Sequence, residues 1–416
     1  MGPPASKTPL SPYQRRLFLF LSVATFFEGY DFFAFAQVLD SIQTEFDLGK
    51  FEVTALSAFI NAGTVLAFVL VRYADRIGRK KVLSITILGY ALCTALTAAS
   101  TNVWTFAGAQ FLARVFLIAE WAVAMVYAAE EFPADRRGSV IGILQAFSSL
   151  GAVVCAGVVP LLLGLSIAGV TPGWRTVYLV GVIPLVLLAY ARRDLKETKR
   201  FEAVAPQSSS LFAIWSTPYR RRVIELGAIW LVTYACTQNA VHFWKIWAKQ
   251  DAGFTDGEVG LTLTVAALGS LPLVFLAGRL LDRIGRRRGA VVIYATLALG
   301  VVGAYSENLP PVALGVALTL AVFGVTAVLA VLNAFTSELF PTELRGDAFA
   351  WTNNLIGRVG YVLSPLLIGV LAERSNDWGA AIRPTAIFPL IALGLILALL
   401  PETKGRELEE TAGLGH

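Results

Sequence analysis

Charge is scarce in this sequence. Asp, Glu, Lys and Arg supply only 15% of its 416 residues, against about 25% in an ordinary soluble domain. So little charge excludes a disordered or fibrous chain and argues against a soluble enzyme. Histidine is scarcer still: His242 and the terminal His416 are the only two, so a histidine-built metal site has almost nothing to draw on. Cys93, Cys155 and Cys236 are the only cysteines. They lie apart in apolar runs, with neither zinc spacing nor the even count of a disulfide framework, and read as small buried hydrophobes. No Walker-type phosphate loop is present, which argues against a nucleotide-driven pump. No clustered nucleophile and base points to an enzyme, and neither a metal nor a cofactor is expected. The net charge of +5 sits in short clusters between apolar runs, so a nucleic-acid partner is not expected either.

What is abundant is apolar sequence, 56% of the chain. Runs such as Val82–Ala99, Leu261–Ala277 and Ile387–Leu400 approach the ~20 residues needed to cross a ~30 Å hydrocarbon layer. Twelve such spans fall between residues 17 and 400. The first follows a polar Met1–Pro12 segment, is too long for a signal peptide, and reads as retained. The expectation is an all-α polytopic membrane protein with twelve transmembrane helices in two pseudo-symmetric halves of six. Residues 1–191 form the N-terminal half, 192–222 a linker loop with a Pro/Ser-rich core at Ala205–Ser210, 223–400 the C-terminal half and 401–416 a tail. Of the 34 Lys and Arg, 26 fall on the side that carries both termini and 6 on the other. Two, Arg114 and Arg358, lie inside spans. By the positive-inside rule the termini, linker and tail are cytoplasmic, in a multi-pass protein of the plasma (inner) membrane, expected to work as a monomer in the lipid bilayer.

The halves repeat. Asp75-Arg76-Ile77-Gly78-Arg79-Lys80 returns 207 residues later as Asp282-Arg283-Ile284-Gly285-Arg286-Arg287. Glu130-Glu131-Phe132-Pro133 returns at an offset of 208 as Glu338-Leu339-Phe340-Pro341, and Glu197-Thr198-Lys199 at 205 as Glu402-Thr403-Lys404. Parallel repeats with a site between them are a transporter architecture. Gly278, Leu280, Asp282, Arg283, Gly285, Arg286 and Arg287 resemble the loop signature of the major facilitator superfamily. The first copy departs from it at Val71 and Tyr73. The Pro401–Glu410 tail resembles the end motif of sugar porters and organic-ion transporters. Glu28-Gly29-Tyr30-Asp31 resembles the Asp-Gly-x-Asp motif of the aromatic-acid:proton symporters, with Glu28 in place of the first Asp. The resemblance covers essentially the whole chain. It implies secondary transport by alternating access, and that branch carries an Arg in the fourth span, which maps onto Arg114.

The chemistry is expected from the few charges that leave the loops. Glu28 and Asp31, at i and i+3, share one helix face about halfway along span 1, where a lone ionised carboxylate is expensive. They must face the interior, pair with a cation, or take a proton; the alternatives are a proton-coupling pair and a static ion pair. Arg114 in span 4 sits at about their depth and suits exchange between a carboxylate and an anionic substrate, or a permanent pair. Arg358 in span 11, with Asn353 and Asn354 one turn away, suits a clamp on a carboxylate from the opposite half, or a packing pair. Glu120, roughly 9 Å from Arg114 along the helix, is a second proton stop or a partner of another charge. Tyr234, Gln238, Asn239 and His242 form a polar strip in span 7, the repeat counterpart of span 1. His242 is either titrating or simply hydrogen-bonded. Tyr30 and Gln145 complete the candidate substrate contacts, beside Ser148 and Ser149, which packing explains as well. At the cytoplasmic loops, Asp75, Arg79, Glu131 and Arg137, then Asp282, Arg286, Glu338 and Arg345, are candidate gate charges. The function read from this is proton-coupled symport of a small organic acid. A sugar or polyol porter and proton-driven efflux remain open.

Overall fold

A long apolar segment can satisfy its backbone groups internally only as a helix when no water is at hand, and helices are what these runs form. The computed structural model describes residues 9–165, 173–191, 195–197, 212–341 and 344–404, apart from the side chains at 73, 75, 76, 129, 134–139 and 191. Most of the expected linker and the tail beyond residue 404 lie outside that set, as do the side chains of the candidate gate residues Asp75 and Arg137. In the first half come α1 (Pro12–Glu45), α2 (Lys50–Ile77), α3 (Arg79–Ala98), α4 (Val103–Glu131), α5 (Ala134–Leu163) and α6 (Trp174–Ala191). The second has α7 (Arg220–His242), α8 (Trp244–Gln250), α9 (Asp256–Ile284), α10 (Arg286–Ala304) and α11 (Pro311–Glu338). It continues with α12 (Arg345–Phe349), a π-helical stretch (Ala350–Gly357), α13 (Arg358–Ser375), α14 (Trp378–Ile382) and α15 (Ile387–Leu399).

These elements supply the twelve crossings, six per half, with α7–α8, α12–α13 and α14–α15 each counting as one interrupted span. Ten stretches are long and apolar enough to cross a membrane on length and composition alone. The other two are α6, whose apolar part is short, and α7, which carries three leading arginines and the Tyr234, Gln238 and Asn239 strip. Sequence punctuation explains several boundaries. Asn102 caps α4 by accepting from the Thr105 N–H, and Thr255 with Glu258 forms a reciprocal capping box at α9. Between α2 and α3, and between α9 and α10, Gly78 and Gly285 turn the chain at φ of 104° and 100°, a region that favours glycine.

The described residues group into two compact units. One takes Met1–Val38 and Leu66–Ser208, the other Leu39–Val65 and Ser209–His416. The end of α1 and the first half of α2 thus group with C-terminal elements. Specific bonds join these segments. Lys249 of α8 pairs with Asp40 at 2.8 Å and Asp256 at 3.2 Å. Gln250 donates to Gln43 at 2.8 Å, and the Phe51 N–H donates to Glu373 at 3.3 Å.

Inside each unit, small residues let helices touch backbone to backbone. A Cβ on Gly29 of α1 would stand 1.8 Å from the Ser148 carbonyl oxygen of α5, and one on Gly151 of α5 would stand 1.9 Å from that of Phe26. A Cβ on Gly360 of α13 would stand 2.0 Å from the Leu231 carbonyl oxygen of α7. Gly360→Ala is therefore expected to destabilise by about 1–3 kcal/mol through overpacking. Gly315→Ala, whose added methyl meets nothing within 4 Å, should be neutral or slightly stabilising. Thermal unfolding of the two variants in detergent checks this; equal midpoints would mean the α7–α13 contact is not a tight one.

Candidate functional site

In the first unit, the Gly29–Gly151 crossing brings α1 against α5 and sets Glu28 beside Ser148. The serine hydroxyl donates to Glu28 Oε2 at 2.6 Å. Ser148 is thus a partner of the carboxylate, and the glycines one and three residues away were the sequence signal for it. Asp31, one turn on, is buried at 8% exposure, with Tyr90 of α3 next to it. Arg114 on α4 is buried at 5% exposure and lies within electrostatic reach of both carboxylates. No ion pair within 4.0 Å joins it to either. Its guanidinium lies over the Phe32 ring at 4.6 Å, and its Nη1 is buried without an acceptor. The Tyr30 hydroxyl is likewise buried and unpartnered. Glu120 is turned toward α3, where Thr86 donates to it at 2.6 Å. Gln145 is exposed on α5.

In the second unit, Arg358 opens α13 immediately after the π-helical stretch. Single π-helical turns inside α-helices are frequent at functional sites. Its guanidinium lies over Tyr234 and over Tyr361, at 5.1 Å from each ring, and its Nε is buried without an acceptor. Tyr234 donates to Asn353 Oδ1 at 3.0 Å. The asparagine bound to the span-7 strip is therefore Asn353, whereas the candidate contact Asn354 is half-buried. Gln238 is buried. Asn239 donates to the Ala235 carbonyl at 3.1 Å, and its backbone carbonyl accepts from Tyr305, just after α10, at 3.1 Å, while its Oδ1 is buried without a donor. Tyr361 and Phe32 were not singled out from sequence. Only contact with an arginine distinguishes them from the many other aromatics.

At the loop ends the two halves repeat one device. Arg286 pairs with Glu338 at 2.8 Å and Asp282 at 3.2 Å. Arg79 pairs with Glu130 at 3.1 Å. Glu130 is the residue 208 positions before Glu338, and the candidate gate residue Glu131 follows it. The Glu131 backbone carbonyl accepts from Gln14. Arg345 reaches the Phe340 carbonyl at 3.4 Å.

The repeated Glu-Thr-Lys segments, read from sequence only as marks of duplication, prove to be helix caps. Glu402 accepts the Arg286 and Arg287 N–H groups at 2.8 and 3.0 Å. Glu197 accepts those of Arg79 and Lys80 at 3.0 and 3.2 Å. Each carboxylate thus sits on a helix N-terminus, where free N–H groups and the helix dipole favour an anion. Gly285 makes room, since a Cβ there would lie 2.6 Å from Glu402 Oε2. Burial alone would raise the Glu402 pKa, but the backbone N–H groups hold it below the usual carboxylate value.

The sequence profile of the Major Facilitator Superfamily matches residues 21–244 and 243–414. A Bacillus subtilis protein provisionally described as a niacin/nicotinamide transporter is 26% identical over 95% of this chain and 98% of its own length. The cis,cis-muconate transport protein of Acinetobacter baylyi is 27% identical over 93% of this chain and 94% of its own. Among solved structures, a D-xylose-proton symporter superposes with a TM-score of 0.75 at 18% identity, covering 95% of this chain and 99% of that one.

Glu402→Gln should lower the thermal midpoint at neutral pH by the equivalent of about 0.3–1 kcal/mol, the usual worth of a charge at a helix end. Because the folded pKa is depressed, this stabilisation is present above the unfolded carboxyl pKa of about 4.3 and is lost as pH falls through the folded value. The wild-type and variant midpoints should therefore converge in acid. Identical midpoints at pH 7 would show that the capping charge contributes nothing.

Proposed function

Because the chain belongs to the major facilitator superfamily of membrane transporters, we propose that it is a proton-coupled symporter of a small organic acid. It is a transporter and not an enzyme, and its multi-pass architecture fits alternating access. We place it in the plasma membrane as a monomer with both termini cytoplasmic.

The observation that carries the substrate class is a contrast among the arginines. Arg79, Arg222 and Arg286 each pair with a carboxylate. Arg114 and Arg358 have none within 4.0 Å; a buried N–H without an acceptor, which Arg79 and Arg222 also keep at Nε, therefore belongs in these two to a charge that no acid neutralises. A buried donor left unmatched costs about 1–3 kcal/mol, more for a charged group. An anionic ligand recovers that cost, and Arg forks match carboxylates. Relatives named for muconate, gallate and niacin support the organic-acid class.

In this reading Asp31 and Glu28 carry the coupling protons. Both are carboxyls without an ion pair in an apolar interior, where neutralisation by a proton is the inexpensive state. Glu120 is a further proton stop. Arg114 is the anion contact of the first half, with Tyr30 and Gln145 as its neutral contacts, and Arg358 that of the second, with Gln238, Asn239 and Asn354. The loop-end networks of Arg79, Glu130 and Glu197, and of Asp282, Arg286, Glu338 and Glu402, tie together elements of one half, so each half moves as a body; Asp75, Glu131, Arg137 and Arg345 belong to the same gate surfaces.

In proteoliposomes an inward proton gradient should drive accumulation of an organic acid above equilibrium, and Asp31→Asn should abolish that accumulation while sparing exchange. Gradient-driven accumulation by the variant would remove Asp31 from the coupling role. Arg114→Gln should weaken organic-acid binding by roughly 10- to 100-fold, the scale of a charged hydrogen bond, as read by titration of intrinsic tryptophan fluorescence. An unchanged affinity would exclude Arg114 from the substrate site.

A further inference from the structure

Both site arginines rest on aromatic rings. Arg114 lies over Phe32 at 4.6 Å, and Arg358 over Tyr234 and Tyr361 at 5.1 Å each. The two tyrosine rings meet edge to face, 5.5 Å apart at 81°, so they form a corner that holds the guanidinium. That corner is built into the backbone. Gly357 and Gly360 bring the start of α13 against Trp230, Leu231 and Tyr234 of α7, leaving no room for a Cβ. The Tyr234 hydroxyl is fixed to Asn353 within the π-helical stretch. Arg175 also lies over a ring, that of Trp174 at 4.3 Å, but it donates to the Ser100 carbonyl at 2.9 Å. Among the described residues Arg114 and Arg358 combine a ring partner, a buried N–H without an acceptor, and no acid within 4.0 Å.

We propose that Phe32, Tyr234 and Tyr361 are positioning residues for anion binding, holding Arg114 and Arg358 by their ring faces. A ring face attracts a guanidinium without hydrogen-bonding it. It can hold the planar cation in place and leave the edge N–H groups uncommitted. A carboxylate in the same position would occupy those N–H groups and cancel the charge that the substrate must find. A carrier also has to survive the empty half of its cycle, when no anion neutralises the arginines. The rings meet that need without competing with the load. The rings thereby set the preference for carboxylate over neutral ligands. This rests on the reading that the two arginines bind the substrate anion.

The test uses the full chain in detergent and a probe panel of benzoate, nicotinate and cis,cis-muconate, with nicotinamide as the neutral counterpart of nicotinate. Tyr361→Leu and Phe32→Leu, one in each half, should each weaken carboxylate binding by about 2- to 30-fold, the range of a cation–π contact. Tyr361→Phe, which keeps the ring, should stay within 2-fold of wild type. In proteoliposomes the loss should appear as a raised KM at little-changed maximal rate. The proposal is overturned if both leucine variants bind like wild type, or if Tyr361→Phe is as damaging as Tyr361→Leu. Arg358→Gln separates the two levels. If it leaves carboxylate binding intact, the reading of Arg358 as an anion site fails. If it abolishes binding while the leucine variants do not, that reading stands and the role of the rings fails.

Discussion

A charge taken into an apolar, membrane-like interior has to be met by something, because the medium does not solvate it. Most of this molecule's polar architecture is a set of answers to that demand. The scarcity of charge in the sequence is the first answer. The second is that each charge entering the helical body finds a partner of a definite kind. Glu28 takes the Ser148 hydroxyl and Glu120 that of Thr86. Glu197 and Glu402 take backbone N–H groups at helix starts. Arg79 and Arg286 take carboxylates, and Arg114 and Arg358 take aromatic faces. The kind of partner separates the roles. Acid-paired arginines are neutralised and fasten elements together, whereas ring-supported arginines keep a net charge to offer.

Duplication shows in the fastenings. Gly78 and Gly285 adopt nearly the same left-handed φ, each followed by a helix capped by a glutamate from the end of its own half. Each of those helices begins with an arginine that reaches the acid at the end of the fourth or tenth span. A carboxylate on exposed N–H groups next to a glycine that cannot obstruct it is a compact solution, and the chain contains it twice. The membrane-level residues are not duplicated in this way. The first half carries carboxyls and one arginine around α1 and α4, while the second carries an arginine, tyrosines and an asparagine around α7 and the π-helical stretch. In the proposed reading, proton chemistry falls to the first half and anion recognition is shared by the two.

Much of this was legible in the residues. Hydrophobic run length gives the twelve spans, because hydrocarbon thickness dictates helix length, and the periodic motifs give two halves. Glu28, Asp31, Arg114 and Arg358 stand out because charge inside an apolar run is rare and costly. The offset of 208 even identifies Glu130. What stayed hidden depended on close approach between segments far apart in the chain. Ser148 became a partner of Glu28 only because two glycines let α1 and α5 touch. Phe32 and Tyr361 are indistinguishable by composition from the other aromatics until a guanidinium lies over them.

Sequence alone determined that this chain is a duplicated bundle of membrane-spanning helices with a handful of stranded charges, since run length and charge cost act locally along the chain. The tertiary structure decided what each stranded charge meets. It gave Glu402 and Glu197 to helix starts, grouped Leu39–Val65 with the C-terminal elements through Lys249 and Gln250, and left Arg114 and Arg358 on rings instead of acids. Those outcomes depend on which backbones can approach within a few ångströms, a property of packed helices that no single segment carries.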